Sequence, residues 1–207
     1  MIKKALSLSL VVSSLVFVLS PSAVADTAKL GQSITHMKTA PGLTTFLEGA
    51  GVILYSQGGA TSAIIGDSIV AANGQIVFHI PITGSKAGRQ HIGSTLVFFN
   101  TANNKEIQLR NPVINLATGV VTALLTPDSN VATTILTIPN ASTVKPKIKN
   151  DRPTRSKTSA YTGVQLVIAP GVAAVISSLL GLPDGAIADG TPFGSADLTI
   201  YSAISKR

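Results

Sequence analysis

Apolar and polar positions alternate along most of the chain between residues 51 and 138. Segments 51–57, 61–72 and 75–83 are short, apolar and rich in β-branched residues, and Gly, Asn, Pro and Asp separate such stretches along the chain. In the third, Ile76, Phe78, Ile80 and Ile82 alternate with Val77, His79 and Pro81, the period-two pattern of a half-buried strand. Asn73-Gly74 just before it is a hairpin-turn dipeptide, because both residues tolerate positive φ. Further strands are predicted at 95–99, 106–110, 113–116, 119–126 and 133–138, with Asn103-Asn104 turning the chain between the first two. Turns recurring about every 8–12 residues predict an antiparallel sandwich or barrel-like sheet rather than βαβ units.

The pattern changes near the C-terminus. Residues 163–169 read as a strand, and Pro170 is placed to open a helix at its first position. Val172, Val175, Ile176, Leu179 and Leu180 then form one apolar stripe at helical spacing, with Ala174, Ser177 and Ser178 outside it. Gly181 is suited to end this helix and Pro183 prevents its continuation. A last strand at 195–204 puts Leu198, Ile200 and Ile204 on one face and Asp197, Thr199 and Tyr201 on the other. The expectation is a mainly β domain with one short amphipathic helix near 171–180.

The first 25 residues read differently. Lys3 and Lys4 precede an apolar run from Leu6 to Leu19, and Ala23-Val24-Ala25 offers small residues where a signal peptidase cuts. The run is shorter than the ~20 helical residues that span a bilayer. The expected organisation is a signal peptide at 1–25 and a single β-rich domain at 26–207, secreted, periplasmic or on the cell surface. No later stretch has spanning length, so no transmembrane segment is expected after the leader is removed. A chain that is 45% hydrophobic and 12% charged is not a disordered one. It has no cysteine, which excludes disulfides, thiol catalysis and thiolate metal sites, and leaves an exported domain to be held by its core alone. The short Lys-Lys leader and the cysteine-free chain suit a bacterial source.

The formal charge of +7 describes one segment more than the whole chain. Residues 145–157 carry Lys145, Lys147, Lys149, Arg152, Arg155 and Lys157 against Asp151 alone, while the rest of the chain after the leader is balanced. With Pro146 and Pro153 and almost no apolar residue, the segment reads as a solvated basic loop able to attract anionic surfaces. No aromatic residue is interleaved in it, so it offers no stacking platform for nucleic acid.

Catalytic patterns are missing from the sequence. Acids are spread about one per turn, no Gly-x-Ser-x-Gly is present, and Gly49-Ala50-Gly51 lacks the lysine of a phosphate loop. Residues 184–190 place Asp184 and Asp189 beside glycines but without the dense oxygen ligands of a calcium loop. Of the three histidines, His36, His79 and His91, the last two would face one ligand if their strands paired, though no close-spaced metal motif is present. The expectation is a protein that is not an enzyme and needs no cofactor.

The run His91-Ile92-Gly93-Ser94-Thr95-Leu96-Val97-Phe98-Phe99, then 107–116 with Asn111-Pro112, then 118–123 starting Thr118-Gly119, resembles HtaA-type domains. These are exported all-β domains of bacterial haem uptake, and the resemblance covers about residues 75–125. It implies an all-β fold. It also implies a haem site in which His91 and a tyrosine, here Tyr55, approach the iron.

Two functions follow as expectations. The first is an exported, non-enzymatic bacterial β domain with a surface, matrix or adhesive role, meeting envelope or matrix polymers, or itself through its strand edges. The alternative is a small-ligand carrier of the HtaA type, binding haem.

Overall fold

The computed structural model describes residues 32–65, 74–85, 88–126, 128–151 and 156–203; the signal peptide expected at 1–25 lies outside them. Six elements lead into the main ladder: β1 (Ile34–Thr39), α1 (Leu43–Gly49), β2 (Val52–Gly58), β3 (Thr61–Ile65), β4 (Gln75–Pro81) and β5 (Arg89–Gln90). Next come β6 (Ser94–Asn100), β7 (Lys105–Asn115), β8 (Val120–Leu125) and β9 (Ala132–Thr137). The chain continues through β10 (Lys147–Asp151), β11 (Ser156–Ile168), α2 (Val172–Leu180) and β12 (Pro192–Ala203).

All the strands join one antiparallel sheet in the order β2-β6-β7-β8-β9-β11-β12-β1-β4-β3, with β10 added to β11 and β5 to β7. The two ends of that path, β2 and β3, are consecutive in the chain, so the sheet curls into a nearly closed barrel. Closure hides most of the strand edges that an open sheet would leave unpaired. The expected mainly β, barrel-like class is the one observed, and among the described residues no helix is long and apolar enough to cross a membrane.

Side-chain alternation directs the core inward. On β4, Ile76, Phe78 and Ile80 are buried and their neighbours half-exposed, as the sequence pattern requires. They meet Met37 of β1, Leu166 of β11 and Leu198 of β12 in a single apolar cluster. Each such side chain contributes roughly 1.5–3 kcal/mol by leaving water.

Several elements differ from expectation. β1 and α1 are additional to the expected elements. The segments 106–110 and 113–116 are one strand, β7, with a bulge between Arg110 and Val113. There Asn111 takes φ 51° and Pro112 has no N–H to give the ladder. Of the predicted strand 61–72, the described part is β3. Ile204 of the last predicted strand lies outside the described residues.

The basic stretch 145–157 is not the expected loop. β10 pairs in register with the start of β11, from Lys147 opposite Ala160 to Asp151 opposite Ser156, and residues 152–155 between them lie outside the described residues. Backbone pairing on an exposed edge needs no apolar side chain, so the absence of hydrophobic residues does not prevent a strand. Lys145, Lys147 and Lys149 at alternate positions were the available signal.

The helix α2 is present, but its entry and its buried face differ. Gly171, at φ 77°, precedes the first helical residue, so Pro170 lies outside the helix rather than opening it. Val172, Ala173, Ser177 and Leu180 are buried, whereas Val175 is 44% exposed. The helix sits on β6 and β7, and Asn100 and Asn103 of that corner both donate to the Leu180 carbonyl at 2.9 Å. Those bonds set its rotation more firmly than one valine does.

β11 and β12 outrun their neighbours. β12 pairs with β1 only between Gly194 and Thr199, and β11 with β9 only at Val167 and Ile168. Asn140 bridges where β9 falls short, donating to the Gly163 carbonyl at 2.8 Å and accepting the Gln165 N–H at 3.0 Å. Beyond, the first half of β11 and the end of β12 continue with β10 as a three-stranded extension.

Candidate functional site

His91 follows β5 and turns inward, where it is fully buried. Its Nδ1 lies 2.9 Å from the Pro112 carbonyl, which can only accept, so Nδ1 carries the proton. Nε2 is then the acceptor for the Thr35 hydroxyl at 2.8 Å. Burial lowers the pKa of this imidazole to about 4, the Pro112 carbonyl opposing weakly, and the ring is neutral at physiological pH. Both nitrogens are therefore occupied by the protein itself. The cavity beside His91, lined by Met37, Ile80, Leu109, Leu166 and Phe193 among others, measures ≈ 20 Å³. That is room for about one water, against the ~300–1,000 Å³ of a small-molecule site.

Tyr55 lies on the other side of the sheet. Val52 and Leu54 of β2 point into the core, so Tyr55 points outward, half-buried, in a row with Val97 of β6 and Gln108 of β7. The two residues that the family resemblance would bring to one iron are thus separated by the sheet.

His79 does not meet His91 either. It sits on the outer face of β4, between the inward Phe78 and Ile80, opposite His36 of β1 with ring centroids 4.7 Å apart. Among the described residues no group of three or more His, Asp or Glu side chains is arranged to hold a metal ion. In the 184–190 segment, Asp189 has a structural role. Its Oδ2 accepts the Gly171 N–H at 2.6 Å and its Oδ1 the Ala173 N–H at 3.1 Å. It caps the start of α2, where unpaired N–H groups attract a carboxylate.

The basic residues gather on the three-stranded extension. Lys147 and Lys149 alternate on β10 and share its outer face, while Lys157 of β11 stands opposite Asn150 on the other face. Lys145, just before β10, is exposed and donates to the Ser142 carbonyl at 3.1 Å. Arg152 and Arg155 lie outside the described residues. Register also adds a residue that the sequence did not point to. Lys149 faces Thr158, and Thr158 faces Tyr201 of β12, so a 40%-exposed aromatic ring belongs to the same row as the lysine. Tyr201 lies 52 positions from Lys149, and only strand pairing links them.

No protein-family model matches the chain, and no curated protein or solved structure is significantly similar to it.

Proposed function

We propose that this chain is an exported, non-enzymatic β domain that attaches to an anionic polymer of the bacterial envelope or matrix through the β10–β11 hairpin. The observation that carries this reading is the placement of Lys147 and Lys149 on one exposed face outside the barrel, joined by Tyr201 and flanked by Lys145. Asp151 is the single acid of the segment. Several exposed cations on a rigid ladder give a regularly spaced anion a multivalent contact in which each charge adds a little. A filled interior, with both nitrogens of His91 engaged, favours this outer-surface role over a carrier of enclosed ligands.

Binding of this kind is salt-sensitive, since the Debye length shrinks from about 10 Å at 0.1 M to about 3 Å at 1 M. Co-sedimentation with phosphatidylglycerol vesicles and with a glycerol-phosphate polymer is expected to be strong at low salt and lost near 1 M. A Lys145→Gln/Lys147→Gln/Lys149→Gln variant is expected to bind at least tenfold more weakly. Equal binding by that variant would overturn the assignment to the hairpin. Retention only on vesicles would name lipid rather than polymer as the partner and would overturn the polymer reading.

A further inference from the structure

We propose that His36 and His79 form a two-imidazole site on the outer face of the barrel for a divalent transition-metal ion, copper(II) foremost. The two residues are direct cross-strand partners on β1 and β4, strands that pair over five consecutive positions, so the backbone under them is rigidly held. Each is half-buried, with its ring on the surface of the sheet rather than in the core. The ring centroids are 4.7 Å apart at an interplanar angle of 86°. Two imidazoles bound side by side to one metal through bonds of about 2.0 Å, at angles between the square-planar and the tetrahedral, hold their centroids about 4.5–5 Å apart. The centroid separation is therefore already that of a chelating pair.

The chemistry of the surroundings agrees. Neither ring makes a hydrogen bond to another described residue, in contrast to His91, whose two nitrogens are both engaged. Asp197 lies next in the same row, opposite His36 on β12. Its Oδ1 accepts the Gly163 N–H at 2.7 Å, which holds the carboxylate beside the pair as a negative charge that favours a cation. The protein supplies two nitrogen ligands, and water completes the coordination. Two borderline nitrogen donors with open positions rank copper above nickel and zinc.

Titration of the untagged protein with copper(II) tests this, read by calorimetry and by electron paramagnetic resonance. One ion per chain is expected, with nitrogen hyperfine structure from two imidazoles. His36→Asn and His79→Asn are each expected to weaken binding at least tenfold, and the double variant to lose the two-nitrogen spectrum while keeping its circular dichroism. Both side chains stand outside the core, so these variants retain the fold. Copper bound with unchanged affinity and spectrum in the double variant would overturn the site, as would a titration of the parent protein with no saturable phase.

Discussion

The hydroxyl of Thr35 on β1 lies 2.8 Å from Nε2 of His91, a residue 56 positions later in the chain, and both side chains are completely buried. His91 also holds the Pro112 carbonyl at the β7 bulge, so one imidazole ties β1, the turn before β6, and β7 together inside the barrel. The Gly93 N–H, bonded to Oδ1 of Asn111 at 2.8 Å, fastens the same turn from outside.

The buried imidazole makes stability depend on pH. Its folded pKa of about 4 is below the ordinary 6.5, so the unfolded chain binds the proton more readily. Its contribution is complete above pH 6.5 and is lost as pH falls toward 4, by about 3 kcal/mol in total. His36, also lowered, acts in the same direction. Urea unfolding between pH 4 and 7.5 is expected to show this loss, and His91→Gln to remove most of the slope while costing roughly 2 kcal/mol at pH 7.5. An unchanged slope in that variant would place the titration elsewhere.

Ser177 is buried in α2, and its Oγ has no hydrogen-bond partner among the described residues. Ser177→Ala removes an unsatisfied hydroxyl and introduces a better helix former. A gain of about 0.5–1.5 kcal/mol is expected in thermal unfolding. A loss of stability would mean that the hydroxyl is satisfied by water.

Asp189 accepts two N–H groups at the start of α2, which has no side-chain cap of its own. Asp189→Ala is expected to cost about 1 kcal/mol, and Asp189→Asn less, because the amide oxygen still accepts. Calcium is expected to leave the melting temperature unchanged in both the parent and the variants.

Gly58 and Gly93 both have positive φ, at 69° and 84°, but different surroundings. A Cβ on Gly58 would run into the Gly93 carbonyl, which also accepts the Gly59 N–H at 2.8 Å; a Cβ on Gly93 meets nothing within 4 Å. Gly93→Ala is expected to cost only the backbone strain, about 1–2 kcal/mol. Gly58→Ala adds a clash at the β2–β6 ladder and is expected to cost clearly more in the same denaturant titration.

Where the structure follows local pattern, the sequence was a good guide. β4 alternates as its residues demand, β6, β8 and β9 fall within a residue or two of expectation, and Gly181 ends α2 in the left-handed conformation expected of it. Local pattern was misleading where a partner outside the segment itself decides the outcome. The lysines of β10 are polar enough for a loop, but the backbone of β11 gives them a ladder. Val175 fits the apolar stripe of α2, yet the Leu180 carbonyl is held by Asn100 and Asn103, and the helix turns Ser177 inward instead.

By itself, then, the sequence determined the class of the fold, the approximate strand positions and the place of the excess positive charge. All three depend on residues close together in the chain: alternation of period two, turn residues, and clustered lysines. The tertiary structure alone decided which side chains share a face. Strand register put His36 against His79, carried Tyr201 into the row of Lys149, and set Tyr55 and His91 on opposite sides of one sheet. Pairing between strands tens of residues apart leaves no periodic trace in the chain, because a strand's alternation records which face is buried and not which strand lies beside it.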